Sequence, residues 1–114
     1  MMAKTPQPPY YAVIFTNELT VHTEGYEEMA EKMCQMALKE PGCLGFESVR
    51  NGLGITISYW ESLEAIKKWK ANTAHLEAQE MGRNTWYKYY KTRICKVERD
   101  YAFERDDENK HERY

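Results

Sequence analysis

The chain is predicted to fold as one α+β domain whose elements alternate in the order β-α-β-β-α-β. Three observations predict this. "YYAVIFTNEL" (10–19) is dense in β-branched and aromatic residues. Residues 24–40 carry apolar side chains at helical spacing. The pair Asn51-Gly52 joins two alternating segments, the strongest short hairpin signal a sequence offers.

The elements follow in order. The first strand spans 10–19 and reads as buried on part of both faces. Thr23 is placed to cap a helix over 24–40, whose stripe is Tyr26, Met29, Ala30, Met33, Met36 and Ala37. The three methionines read as core filling, and Pro41-Gly42 ends the helix. "CLGFESVRN" (43–51) and "GITISYW" (54–60) are the hairpin strands; the second alternates Ile55, Ile57 and Tyr59 against Thr56, Ser58 and Trp60. Ser62 caps a helix carrying Leu63, Ile66 and Trp69. Asn72-Thr73 break it, and Thr73 is placed to cap a second helical segment from 74 to about 91. "TRICKVERDYAF" (92–103) closes the order as a strand. This is the ferredoxin-like split pattern, an antiparallel sheet with helices on one face. Its other face is partly apolar here, which predicts a two-fold dimer packed sheet against sheet.

Outside the domain (10–103), residues 1–9 read as a flexible N-terminal arm, because Pro6, Pro8 and Pro9 cannot join a sheet interior. Residues 104–114, "ERDDENKHERY", read as a charged C-terminal tail.

The 114 residues carry a formal net charge of −2, which argues against a nucleic-acid partner. No apolar run reaches the length of a membrane span and no signal-peptide centre is present. Cys34, Cys43 and Cys95 are odd in number and lack Cys-x-x-Cys spacing, as expected of reduced thiols in a cytoplasmic protein. Nine Tyr and three Trp make a flat, planar ligand plausible. No metal-ligand cluster, phosphate-binding glycine loop or paired carboxylates stand out, so no metal or cofactor is expected.

If 74–91 is helical, His75, Gln79, Gly82, Trp86 and Tyr90 share one side of it. That side is too apolar for a solvated surface and too polar for ordinary core, and reads as a pocket wall. Gly82 leaves room there, for a ligand or for close helix–sheet packing. His75 is the only imidazole within the predicted helices, with a natural pKa suited to a base near neutrality. Trp60, Trp69 and Trp86 serve as core or as aromatic walls, and Arg83 is expected to face solvent or pair with a Glu.

Beyond the topology, "NEL" (17–19), "PGCLGFESVRN", "ITISYWESLEAIKKWK" and "HLEAQEMGRNTWY" together resemble the antibiotic biosynthesis monooxygenase superfamily over roughly residues 10–103. The resemblance implies a dimeric α+β barrel with a pocket between the sheet and the second helical region. The superfamily includes cofactor-free, quinone-forming monooxygenases and heme-degrading enzymes. The heme-degrading branch uses an Asn, a Trp and a His; Asn17 and Trp69 fit the first two, but the third position is Gln79, with His75 one turn earlier.

On this reading the chain oxidises a small aromatic or quinol-like molecule without a metal. His75 takes the phenolic proton, Asn17 bonds a substrate carbonyl or dioxygen, and Trp69, Trp86, Gln79, Tyr90 and Trp60 hold the ring. The alternatives are a non-catalytic binder of an aromatic or tetrapyrrole, and a heme-degrading enzyme with a shifted ligand.

Overall fold

A computed structural model describes residues 2–105, apart from the side chains of Thr73 and Ala74. The elements are β1 (Tyr10–Leu19), α1 (Tyr26–Leu38), β2 (Cys43–Asn51), β3 (Leu53–Trp60), α2 (Leu63–Lys70), α3 (Thr73–Met81), a π-helical turn (Gly82–Trp86) and β4 (Tyr87–Val97). The strands form one antiparallel sheet in the order β2-β3-β1-β4, the expected ferredoxin-like arrangement.

Local chemistry sets most boundaries. Ser62 caps α2 as expected, its hydroxyl accepting from Ala65 N at 3.1 Å. α1 starts two residues later than the sequence suggests: Gly25 takes a left-handed φ of 79°, and Tyr26 N closes a turn onto Thr23 O at 2.9 Å. At the start of α3 it is Asn72 whose side chain accepts from His75 N, at 3.2 Å; the expected cap, Thr73, has a side chain outside the described residues.

The largest departure concerns 82–91. The helix does not continue to 91; it loosens into the π turn and becomes strand at Tyr87. The cause is a long-range clasp. Thr20 N donates to Trp86 O at 2.7 Å, and Thr20 Oγ1 donates to Thr85 O at 2.7 Å, which draws those carbonyls out of the helical ladder. β4 then pairs with β1 from Leu19↔Tyr87 to Tyr10↔Val97 and ends where β1 begins. The strand expected to reach 103 stops at Val97, and Tyr101 and Phe103 beyond it are exposed. The tail expected at 104–114 lies outside the described residues from position 106 on.

The helices cover one face of the sheet, and the register assigns it Val13, Phe15 and Asn17 of β1, Phe46, Ser48 and Arg50 of β2, Gly54, Thr56, Ser58 and Trp60 of β3, and Tyr90, Thr92 and Ile94 of β4. A small core of Trp60, Ala65 and Ile66 closes the α2 end, with Val13, Cys43 and Trp69 packed against it. Away from that core the layers do not close. Met29 and Met33, expected as filling, instead face an open space between α1 and the sheet, and no residue of α1 is fully buried. The opposite face carries Ile14, Val49, Ile55, Ile57 and Tyr59, with no helix over it. Near its β2 side Ala3 N donates to Glu47 Oε2 at 2.9 Å.

Candidate active site

The open space is a cavity of about 660 Å³ between the helices and the sheet, within the range of small-molecule sites. Its floor is unusual for a core face: Thr56 and Ser58 of β3 and Thr92 of β4 present hydroxyls to it. Its walls are aromatic and fall into two groups.

The first group is a stack. Trp60 lies under Trp69, with centroids 6.4 Å apart and planes 26° apart, and Trp69 lies against His75 at 4.7 Å and 17°. Trp60 itself is fully buried in the core and does not line the cavity, so the expected substrate contact from it is replaced by support of Trp69. Its indole N–H donates to Ser58 Oγ at 2.9 Å.

His75 lines the cavity. Its Nδ1 lies 3.1 Å from Trp69 O. A carbonyl only accepts, so Nδ1 carries the proton and Nε2 holds the lone pair. Burial pushes the imidazole pKa below its ordinary value, the Trp69 carbonyl opposes that, and the nearby Lys70 charge adds to it. The ring is therefore neutral at pH 7. No other described residue donates to Nε2.

The second group is a cluster of Phe15, Tyr26, Trp86, Tyr87 and Tyr90, with successive centroids 5.4 to 5.8 Å apart. Trp86 is pinned by its N–H to Glu24 O at 2.9 Å. Gly82 serves close packing: a Cβ there would stand 2.5 Å from the Tyr87 ring. Gln79, Trp69, Trp86 and Tyr90 all line the cavity. Tyr90 does so from β4, opposite Asn17, and not from a helix.

Asn17 is placed differently. It is 2% exposed, on the helix-facing side of β1, but it is not part of the cavity wall. It sits six residues along β1 from Tyr11, the partner of Trp60, about 20 Å of strand at ordinary rise. The structure thus sets Asn17 toward the far end of the sheet from the Trp60–Trp69–His75 stack. Its Oδ1 accepts from Arg50 Nη2, which also donates to Tyr26 Oη at 3.1 Å. The guanidinium lies over Gly54, where any Cβ would overlap it. Sequence reasoning missed Arg50, Tyr26 and Tyr87. The signal for Arg50 was available: in a hairpin turning at Asn51-Gly52, position 50 faces position 54, and a glycine there leaves a seat for a flat group.

No group of three or more His, Cys, Asp or Glu side chains converges as a metal site would require among the described residues. Cys34 and Cys43 line the cavity as free thiols, their pKa raised mainly by burial. Gln79, at the third position of the heme-branch pattern, offers an amide, a weak iron ligand.

Comparison with known proteins bears on family and fold. A family model described as antibiotic biosynthesis monooxygenase matches residues 12–81. YqjZ of Bacillus subtilis (strain 168) is 49% identical over 105 residues, covering 90% of this chain and 92% of that protein. Among solved structures, Rv0793 from Mycobacterium tuberculosis superposes with a TM-score of 0.71 at 13% identity, over 82% of this chain and 99% of that one. SnoaB from Streptomyces nogalater, a cofactor-independent oxygenase solved as a point mutant, gives 0.66 at 11% identity, over 75% and 90%.

Proposed function

The chain belongs to the antibiotic biosynthesis monooxygenase family, and from that premise we propose that it oxidises an aromatic, quinol-like small molecule as a cytoplasmic homodimer that needs no metal. The observation that carries this reading is a neutral imidazole, His75, on the wall of an aromatic cavity large enough for a two- or three-ring substrate. Likeness of fold to SnoaB, a cofactor-independent oxygenase, supports the metal-free chemistry.

His75 Nε2 takes a phenolic proton, and the electron-rich anion reduces dioxygen. One oxygen atom enters the ring and the other leaves as water. A hydroquinone plus O₂ thus gives a hydroxyquinone plus H₂O, with all electrons from the substrate. The stack of Trp69 on His75 holds the base in place, and the Phe15–Tyr87–Tyr90 cluster excludes water from the other end. Asn17 enters by holding Arg50. The dimer reading rests on the uncovered face with Ile14, Ile55 and Ile57, and the cytoplasmic one on three free cysteines.

The test is oxygen consumption with a panel of hydroquinones, with product mass reporting a gain of one oxygen and a loss of two hydrogens. His75→Ala is expected to lower the rate about 100-fold, a typical share for a positioned base. An unchanged rate overturns the role of His75. Binding without oxygen uptake across the panel turns the reading to a non-catalytic binder of the same ligands.

A further inference from the structure

The chain is slightly acidic, with 18 Asp and Glu against 16 Lys and Arg. Its cavity is not. The charged residues that border it from the helical layer are Lys70 of α2 and Arg83 of the π turn, and no Asp or Glu lines it. Lys91 of β4 also borders it, but it pairs with Thr16 and so directs its side chain to the open face of the sheet. Lys70 and Arg83 are exposed and so stand at the rim. Arg50, at the Asn17 end, adds a third positive charge above Tyr26, its guanidinium carbon 5.7 Å from the ring centroid. The described residues contain an ion pair, Lys88 with Glu18 at 3.4 Å, but among them Lys70, Arg83 and Arg50 have no carboxylate at that range. Arg83 faces solvent, as expected, and also borders the cavity.

A cationic rim around an apolar, low-dielectric hollow focuses positive potential into it. At two groups the cations add a smaller effect to a larger one: burial holds the His75 pKa low and Lys70 adds to it, while burial and the Tyr26 phenol push Tyr87 up and Arg50 partly offsets them.

From this juxtaposition we propose that the cavity selects an anionic ligand, a planar aromatic compound bearing a carboxylate or another acidic group ionised at neutral pH, with Arg83, Lys70 and Arg50 as its specificity determinants. This rests on the small-molecule reading above and narrows its substrate class. The apolar ring enters between the aromatic walls, and the charged group stays at the rim, where Arg or Lys meets it without full desolvation of the pair.

The experiment uses a matched pair of probes, 3-hydroxy-2-naphthoate and its neutral methyl ester, titrated by calorimetry at low salt and at about 300 mM salt. The acid is expected to bind about tenfold more tightly at low salt, the advantage shrinking as salt rises. In the double variant Arg83→Gln, Lys70→Gln the acid weakens to the level of the ester while ester affinity holds, which also reports an intact pocket. Equal or tighter binding of the ester by the unaltered protein overturns the proposal. So does an acid preference that survives the double variant, and so does failure of the acid to bind. Oxygen uptake is measured on the same protein with the hydroquinone panel. An acid preference with no uptake across that panel overturns the oxidation reading alone, and uptake on the panel with the ester favoured overturns this inference alone.

Discussion

The two faces of the sheet differ less than the usual rule for a half-covered sheet would have them. The face under the helices, where an apolar floor is expected, carries Ser48, Thr56, Ser58 and Thr92. The face that no helix covers carries Ile14, Val49, Ile55 and Ile57. The difference teaches where each face finds its partner. The helical face is held apart over a cavity, so its hydroxyls serve a ligand or water. The open face has apolar surface to bury, and among the described residues no helix covers it.

The strongest way to break this contrast is a charge on the open face. Ile55 lies between Thr16 and Val49 with no carboxylate directly opposite. Ile55→Lys is expected to cost the dimer about 3 kcal/mol or more, the penalty of desolvating an unpaired ammonium. Sedimentation should then show monomers at concentrations where the unaltered chain is dimeric. If assembly is unaffected, the open face is not the interface.

The covered face is probed by Ser58→Ala. Trp60 is fully buried and its indole N–H has Ser58 Oγ as acceptor at 2.9 Å. Removing that acceptor is expected to lower unfolding free energy by about 1–3 kcal/mol in urea, the cost of a buried donor left unmade. An unchanged midpoint would mean cavity water reaches the indole.

Much of this was legible in the sequence, for stated reasons. β1 and β2 are marked by residue type and by the Asn51-Gly52 turn, and α2 by Ser62 and its stripe. These are local signals. The end of α3 was not legible, because it depends on Thr20 capturing the carbonyls of Thr85 and Trp86 across the fold. The alternation of Tyr90, Thr92 and Ile94 was the trace of strand available there, and it was masked by a helical spacing of 75, 79, 82, 86 and 90 that happened to select cavity residues anyway. His75, Gln79, Trp69, Trp86 and Tyr90 all reach the cavity wall. Asn17 and Trp60 share the covered face but sit one layer behind that wall, since Arg50 occupies one and Trp69 covers the other.

A smaller effect is expected from pH. The folded pKa of His75 lies below the ordinary 6.5, chiefly through burial. The unfolded chain therefore binds the proton more readily, and its share of stability is complete above pH 6.5 and lost as pH falls below that value. In urea melts from about pH 8 to about pH 5 the unaltered chain should lose more stability than His75→Gln. For catalysis the same shift keeps the base form present below pH 6.5, so the acid limb of the rate profile should fall below the limb of an ordinary histidine. A limb above 6.5 would assign the base elsewhere.

The smallest expected effect separates a floor that serves a ligand from one that merely tolerates water. Thr56 and Ser48 share a hydrogen bond at 3.0 Å across β2 and β3, and Thr56 lines the cavity. Thr56→Val keeps the shape and the β-branching and removes only the hydroxyl. Ser48 is exposed, so water replaces the lost partner and stability should change by less than about 0.5 kcal/mol. Affinity for a hydroxylated ring should nevertheless fall about threefold, with affinity for the same ring lacking the hydroxyl unchanged, if the floor reads that group. Equal losses for both rings would assign Thr56 to packing. The ligand-facing chemistry would then belong to the walls and rim alone, and the hydroxyls of the covered face would be the mark of a wetted cavity.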